Sequence, residues 1–390
     1  MEEVHEENGC GDDDDEEEGE EEEDNDDHSE EWDEDDEPCN PYIRYLDPPV
    51  SRCTMGAMHT IDEARKIVDT AYERQYKLNG EWCDLVDNNV NPRPLGPLFV
   101  LPKITTYCAS GDECYHLEYW TEITSETSPA HPYFTHCGMM QVFSLILSSP
   151  LAHQVNIYGT FAVRDAWEPL RNYLFKRSRD GPATISPGCS FLPLCSPSRG
   201  IYVLQHFLID IDLWIKEEGD ASADKPLVCG YVEMDTSAAG FERKLGGRFQ
   251  GDCYGLDMHF TYMGDSIETA IEVIAEAEHP SEVKMIALTS GYDYEIALYD
   301  GTFSGTGVMF KHFVAVKKLE QLHVLMKLDG SLYKWTFQAG VGVIVAPEHP
   351  ISGFARFLVM NVSFRTRGKA ASAWQWSCIC NNIRVAVICP

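Results

Sequence analysis

The sequence predicts an all-β fold, an antiparallel β-sandwich or sandwich-like barrel, preceded by one N-terminal helix and a disordered acidic tail. Three observations predict it. From Met139 onward, short runs of strand composition follow one another, separated by Gly, Pro and Asp turn signals. A helical period is visible in one stretch only, Ile61 to Leu78. Carboxylates crowd the first 37 residues, which hold 25 Asp or Glu and no Lys or Arg.

The acidic run comes first. Asp12 to Glu18, Glu20 to Asp24 and Asp33 to Glu37 repel one another and offer almost no apolar surface. Residues 1–40 are therefore expected to lack fixed structure. The run also explains the net charge of -34: the rest of the chain carries 39 acids against 30 bases. A body so close to neutral argues against a dedicated nucleic-acid surface. Its 390 residues, 44% of them hydrophobic, suffice for a sizeable core.

Met1-Glu2-Glu3-Val4-His5 has neither a basic start nor an apolar stretch, and no run of 18 apolar residues follows. Neither a secretory signal nor a membrane span is expected. In that setting the 14 cysteines read as reduced thiols packed as small apolar groups, and the expected compartment is cytosolic or nuclear.

Residues 41–138 are Pro-rich and expected to be loosely structured. Their helix is signalled by Thr60 and Glu63, a capping-box pair. Ile61, Ala64, Ile67, Val68, Ala71 and Tyr72 then share one face, and Asn79-Gly80 marks the stop. Beyond it Pro92, Pro94, Pro97 and Pro102 exclude long regular elements.

The all-β domain is placed at 139–389. Its strand runs are Gln141–Leu147, Gln154–Val163, Asn172–Lys176, Gly200–Leu204, Phe207–Ile215, Leu227–Glu233 and Leu256–Met263. Lys284–Ser290, Glu295–Leu298, Phe313–Lys317, Leu322–Leu328, Leu332–Phe337, Val341–Val345 and Phe357–Phe364 continue the series. Ile267–Ala277 fits an acidic amphipathic helix too, but its alternation reads as strand. Hairpin turns are expected at Asp329-Gly330 and Asp300-Gly301, because Asp-Gly supplies the positive φ angles such turns need. A third, across Asn381-Asn382, joins Trp374–Cys380 to Ile383–Cys389.

MMQVFSLIL (139–147) and VNIYGTFAVRDAWEPLRNYLFKRSRD (155–180) resemble the grass-expanded plant family called domain of unknown function 6598. The resemblance continues through FLIDIDLWIKEEG (207–219), SGYDYEIALYDG (290–301) and FLVMNVSFRTRGK (357–369). It implies no particular reaction, cofactor or substrate. Some cereal members join the domain to a ribosome-inactivating N-glycosidase, which implies an accessory, defence-related role. That glycosidase needs a Glu and an Arg three residues apart on one helical face. Glu63-Ala64-Arg65 is two apart, so depurination is not expected.

Candidate chemistry is sparse. Cys108, Cys114, His116, His131, His136 and Cys137 are the densest set of metal-ligand types, at spacings that match no common zinc site. Arg164 and Asp165 are strand neighbours pointing to opposite faces, which suits a structural ion pair better than a shared site. Asp210 and Asp212 share a face, expected to be a solvated one. Arg171, Lys176, Arg177 and Arg179 interleave with Tyr173 and Phe175, and a second basic group is Arg365, Arg367 and Lys369. Both have the composition of a nucleic-acid surface, but in a strand-and-turn setting alternating Lys and Arg more often marks an exposed face or a protected edge. No phosphate loop, nucleophile elbow or metal-binding helix motif occurs.

No catalytic, cofactor-binding or metal-binding residue is therefore assigned, and no cofactor is expected. The expected function is a non-enzymatic interaction or accessory module with a protein partner, without a membrane and without nucleic acid. A cryptic hydrolase or ribosome-acting enzyme, and a nucleic-acid-binding regulator, are the alternatives.

Overall fold

A computed structural model of the chain describes residues 61–88, 90, 92–102, 137–148, 153–165, 168–203, 206–236, 242–340, 342–345, 351, 354–365, 376–380 and 383–387. The acidic tail, Thr60 and the 381–382 turn lie outside the described residues.

Helix α1 spans Ile61–Asp87. The strands are β1 (Gly96–Leu98), β2 (Cys137–Leu147), β3 (Val155–Asp165), β4 (Glu168–Arg177), β5 (Ala183–Ile185) and β6 (Ile201–Tyr202). Then come β7 (His206–Ile215), β8 (Lys225–Asp235), β9 (Leu245–Gln250), β10 (Gly255–Thr289) and β11 (Ile296–Lys317). The chain ends through β12 (Gln321–Leu328), β13 (Ser331–Gln338), β14 (Gly342–Val345), β15 (Ala355–Arg365), β16 (Trp376–Cys380) and β17 (Ile383–Val387). The fold is all-β and sandwich-like.

A five-stranded antiparallel sheet runs β4-β3-β7-β8, with β5 on β3. Its apolar face packs on β2, β9 and the first part of β10. Phe161 meets Phe249 edge-on at 5.6 Å, and Phe207 meets Tyr262 at 5.8 Å. All four rings are fully buried, and burying each such ring contributes about 1.5–3 kcal/mol. A second core gathers Val273, Ala275 and Met285 of β10 with Val314 of β11, Met326 of β12, Trp335 of β13 and Met360 of β15.

One strand serves both cores. Over Leu256–Phe260, β10 pairs with β9 and β2; over Glu268–Ala277, with β11 and β15; over Val283–Ala287, with β11 and β12. It bends between the first two stations. Asp265 takes φ 47°, the register with β2 shifts between Met263 and Ser266, and the Ser266 hydroxyl donates to the Met263 carbonyl at 3.0 Å. Such a bulge re-aims a strand without ending it. The Ile267–Ala277 stretch is therefore strand, as its alternation indicates.

Asp329-Gly330 forms the expected hairpin, with φ of 46° and 79° between β12 and β13. Asp300-Gly301 does not. Both residues lie within β11, in register with Lys284 and Val283 of β10, so the chain runs straight through. The ladder to β10 outweighs the local turn preference there.

The helix also differs: it continues past Asn79-Gly80 to Asp87. A mid-helix glycine costs only about 1 kcal/mol, and contacts beyond it compensate. The Trp82 indole donates to the Pro94 carbonyl at 3.0 Å. Val68 is buried, the Tyr72 ring lies tilted 4.7 Å from that of Phe99, and Arg74 bonds Asp252 at 2.9 Å. The described part of the Pro-rich region thus packs onto the β body.

Candidate functional site

The residues best suited to chemistry converge where the five-stranded sheet meets β2, β6 and β10. Asp210 sits mid-strand in β7. In register, Arg164 of β3 lies opposite Leu208, two residues from Asp210 and on its face. The Arg164 guanidinium donates to Asp210 Oδ2 from Nε at 3.2 Å and from Nη2 at 2.9 Å. Arg171 of β4 reaches the same oxygen at 2.8 Å. Arg164 and Asp210 are each 1% exposed. Burial pushes the Arg164 pKa down, and the Asp210 carboxylate opposes that push.

Asp165 points the other way, as strand neighbours do. Its Oδ2 accepts from Arg199 Nη1 and from the Tyr202 amide, the latter at 2.9 Å. Arg199 also donates to the Gly200 carbonyl at 2.9 Å, and its own carbonyl accepts from Asn172 Nδ2 at 2.9 Å. From β10, Glu268 Oε2 accepts from the Gly200 amide and the Tyr202 hydroxyl, both at 2.8 Å. The Arg199–Tyr202 segment is thus held between a carboxylate of each sheet. A Cβ at Gly200 would stand 2.3 Å from Met139 Cε and 3.0 Å from Glu268 Oε2, so these side chains would have to shift to admit a larger residue.

Next to this network lies a void of about 20 Å³, lined among others by Gln141, Cys195, Arg199 and His312. His312 is 5% exposed, and burial alone lowers its pKa to about 4. Burial raises the pKa of the Cys195 thiol, the direction opposite to that of a reactive cysteine. The roomier concavities are open grooves. One of about 390 Å³ lies between α1 and Leu98, Pro226, Leu227 and Gln250. Another, of about 310 Å³, flanks the β12–β13 turn.

The sequence candidates scatter. Arg164 and Asp165 do face apart, each in its own ion pair. Asp210 is buried, which corrects the expected solvated face; Asp212 is half-buried and accepts from the Trp214 indole at 2.8 Å. The first basic group divides. Arg171 turns inward to Asp210, while Arg179 bonds Asp224 at 2.7 Å and the Gly219 carbonyl at 2.9 Å. Lys176 and Arg177 remain exposed, with the Lys176 ammonium 4.5 Å from the Tyr173 ring centre. Cys108, Cys114, His116, His131, His136, Arg367 and Lys369 lie outside the described residues, as do the side chains of Cys137 and Arg365. Among the described residues no cluster of His, Cys, Asp or Glu has metal-site geometry.

Sequence reasoning missed Arg199, Tyr202 and Glu268. Glu268 carried a signal, the first member of an i, i+4 acidic series, but nothing local separates it from the half-buried Glu272 and Glu276.

The family described as "Domain of unknown function (DUF6598)" matches residues 139–333, half of the chain. The chain belongs to the DUF6598 family. The matched range holds every residue of the network above and ends within β13. No curated protein matches the chain. Among solved structures, the DUF6598 chain is similar to human GIVD cytosolic phospholipase A2 at 11% identity and a TM-score of 0.22. That likeness covers 61% of this chain and 33% of that one. It is also similar to the paired C2 domains of Extended-Synaptotagmin 2, at 10% identity and a TM-score of 0.23, covering 63% and 96%. The chain thus spans about a third of the phospholipase. No helix among the described residues is long and apolar enough to cross a membrane.

Proposed function

We propose that the DUF6598 domain is a non-enzymatic interaction module that engages a protein partner through its sheet edges and loops, in the cytosol or nucleus. One observation carries this reading: the buried charged side chains face each other. Arg164, Arg171 and Asp210 form one group, and Arg199, Asp165 and Glu268 surround Tyr202 in another. A catalytic acid or base must reach a substrate proton, and of these groups only Arg199 lines the adjoining void, which holds about 20 Å³. Ligand pockets of enzymes enclose about 300–1,000 Å³ with convergent polar groups. The grooves of that size here open between α1 and the sheet and beside a hairpin, away from the network.

The test is a pair of measurements on the full chain. Crosslinking in plant cells is expected to recover a stoichiometric protein partner whose links map to the β body. The purified protein is expected to show no hydrolysis of esters, peptides or glycosides and no depurination of ribosomes. A turnover abolished by Asp210→Asn or His312→Leu in a still-folded variant would overturn the reading in favour of an enzyme.

A further inference from the structure

Each edge of the five-stranded sheet is engaged at mid-strand. Leu101 exchanges hydrogen bonds with Tyr231 of β8 at 2.7 and 2.8 Å, and the Cys195 amide donates to the Leu174 carbonyl of β4 at 2.8 Å. The C-terminal end of β11 is capped as well. Its Ala315 amide donates to Gln141 Oε1 at 2.9 Å, and its Ala315 carbonyl accepts from the Thr289 hydroxyl at 2.6 Å. The N-terminal half of β11 is different. From Ile296 to Val308 its ladder runs to β10, and no other described strand pairs with it.

That open edge has unusual chemistry. Between Asp300 and Lys311 the chain reads GTFSGTGVMF, without a charge or a proline. Sheet edges are normally protected by such residues or by bulges; here the only interruptions among the described residues are the register shifts opposite Phe303–Gly305 and Val308–Phe310, with Gly305 at φ 79°. Thr302, Ser304, Thr306 and Val308 are exposed, Val308 at 57%. A Cβ at Gly305 or Gly307 would meet nothing within 4 Å, so the sheet face is open at these two positions.

The neighbouring strand says what kind of backbone. In register, Glu282 of β10 lies opposite Thr302 and Glu276 opposite Thr306, while Asp300, at the end of the edge, lies opposite Lys284 and meets its ammonium at 3.9 Å. The Glu282 carboxylate accepts from the Thr302 hydroxyl, and Glu276 meets the exposed Arg356 at 3.4 Å. A strand added outside β11 would lie about 9–10 Å from β10, two interstrand spacings away. A Lys or Arg side chain and a Glu side chain together span that gap.

We propose that the Gly301–Phe310 edge of β11 receives an extended segment of a partner protein as an added strand, with Lys or Arg at alternate positions on the outer face. Main-chain hydrogen bonds supply the attachment, and the β10 carboxylates select for basic residues. A second copy of this chain is the poorer occupant, because each copy carries a net charge of -34. The proposal rests on the interaction-module reading and names the surface it uses.

The test uses the full chain and two acetylated decapeptides, one alternating Thr or Val with Lys, the other with Glu in place of Lys. Binding is read by anisotropy and by amide hydrogen exchange. The Lys peptide is expected to bind at least tenfold more tightly than the Glu peptide and to raise protection across residues 301–310. The Thr306→Lys/Val308→Lys variant, altered only at exposed positions, is expected to keep its melting temperature and lose binding at least tenfold. Binding without new protection at 301–310, the sign of capture by the acidic residues 1–37, overturns the proposal. So does an unchanged affinity in the double variant, or sedimentation showing that 301–310 is already occupied by a second copy. None of these outcomes touches the wider reading, which falls only to a measured turnover.

Discussion

The Tyr202 hydroxyl donates to Glu268 Oε2 at 2.8 Å while the Tyr202 amide donates to Asp165 Oδ2 at 2.9 Å. One residue of a two-residue strand is thereby tied to carboxylates from both sheets, at a point where all three side chains are buried. Both are hydrogen bonds to a buried carboxylate, stronger than neutral ones, so the contacts of Tyr202 register the two sheets against each other.

Asp210→Asn should be among the most damaging single substitutions in the protein. It removes the charge that compensates Arg164 and Arg171 in a buried setting, where breaking a pair costs about 3–5 kcal/mol. Urea denaturation should show a lowered midpoint and an unfolding free energy reduced by that order. A midpoint unchanged from the parent protein would mean that the two arginines find compensation elsewhere.

Gly159→Ala should be equally severe for a different reason. Gly159 has φ of +111°, and a Cβ there would stand 1.9 Å from the Asp212 carbonyl oxygen. The collision is with backbone, so the β3–β7 pairing must open. A loss on the order of 3 kcal/mol is expected from overpacking and a disallowed φ. The thermal midpoint measures it, with Gly188→Ala as the comparison, since φ is also positive there and the space is open.

Stability should fall as pH drops from neutrality. His312 is buried neutral with a pKa of about 4, against 6.5 when exposed. Above pH 6.5 neither state holds the extra proton, and the group has no effect. Below 6.5 the unfolded chain takes up a proton that the folded chain refuses, so stability declines until about pH 4 and then levels off for this group. The full decline is roughly 3 kcal/mol. Denaturation at pH 7.5, 6.0 and 5.0 should show a steeper decline for the parent than for His312→Leu. Parallel curves would disprove the assignment to His312.

Asp224→Ala should loosen the segment after β7. The Asp224 carboxylate accepts from the Tyr158 hydroxyl at 2.7 Å, from Arg179 Nε at 2.7 Å and from the Glu217 amide at 2.9 Å. The Arg179 hydrogen bond leads in holding the Asp224 pKa below the usual carboxylate range, and burial leads in raising that of Tyr158 to about 12. Without the carboxylate, exchange of the Glu217 amide should accelerate at least tenfold, while amides in β3 and β7 keep their protection.

How much of this was legible in the sequence depends on the range of the interaction. The strands were legible because alternation and turn residues are local, and Asp329-Gly330 is a turn that needs nothing beyond its own φ angles. Asp300-Gly301 offers the same dipeptide, but β10 pairs on through it, with Lys284 and Val283 opposite, 16 and 18 residues earlier. Gly80 signals a helix stop, and only the distant Pro94 carbonyl shows why Trp82 prolongs the helix. The site was the least legible part. Asp210 looks like any outward strand carboxylate until Arg164 and Arg171 are placed over it from strands 46 and 39 residues away.

The 35-residue β10 fixes lengths as well as contacts. It touches different neighbours at three successive stations, and within Glu268–Ala277 side chains are committed to one face or the other by the ladders on both sides. One residue gained or lost between Ser266 and Ala277 would present Glu268 to the wrong side or turn Val273 and Ala275 away from their core. Loops such as Lys216–Asp224 can vary in length without that penalty. Among relatives of this chain, insertions and deletions should therefore collect in the connections, while the spacing from Leu256 to Ala287 stays constant to the residue.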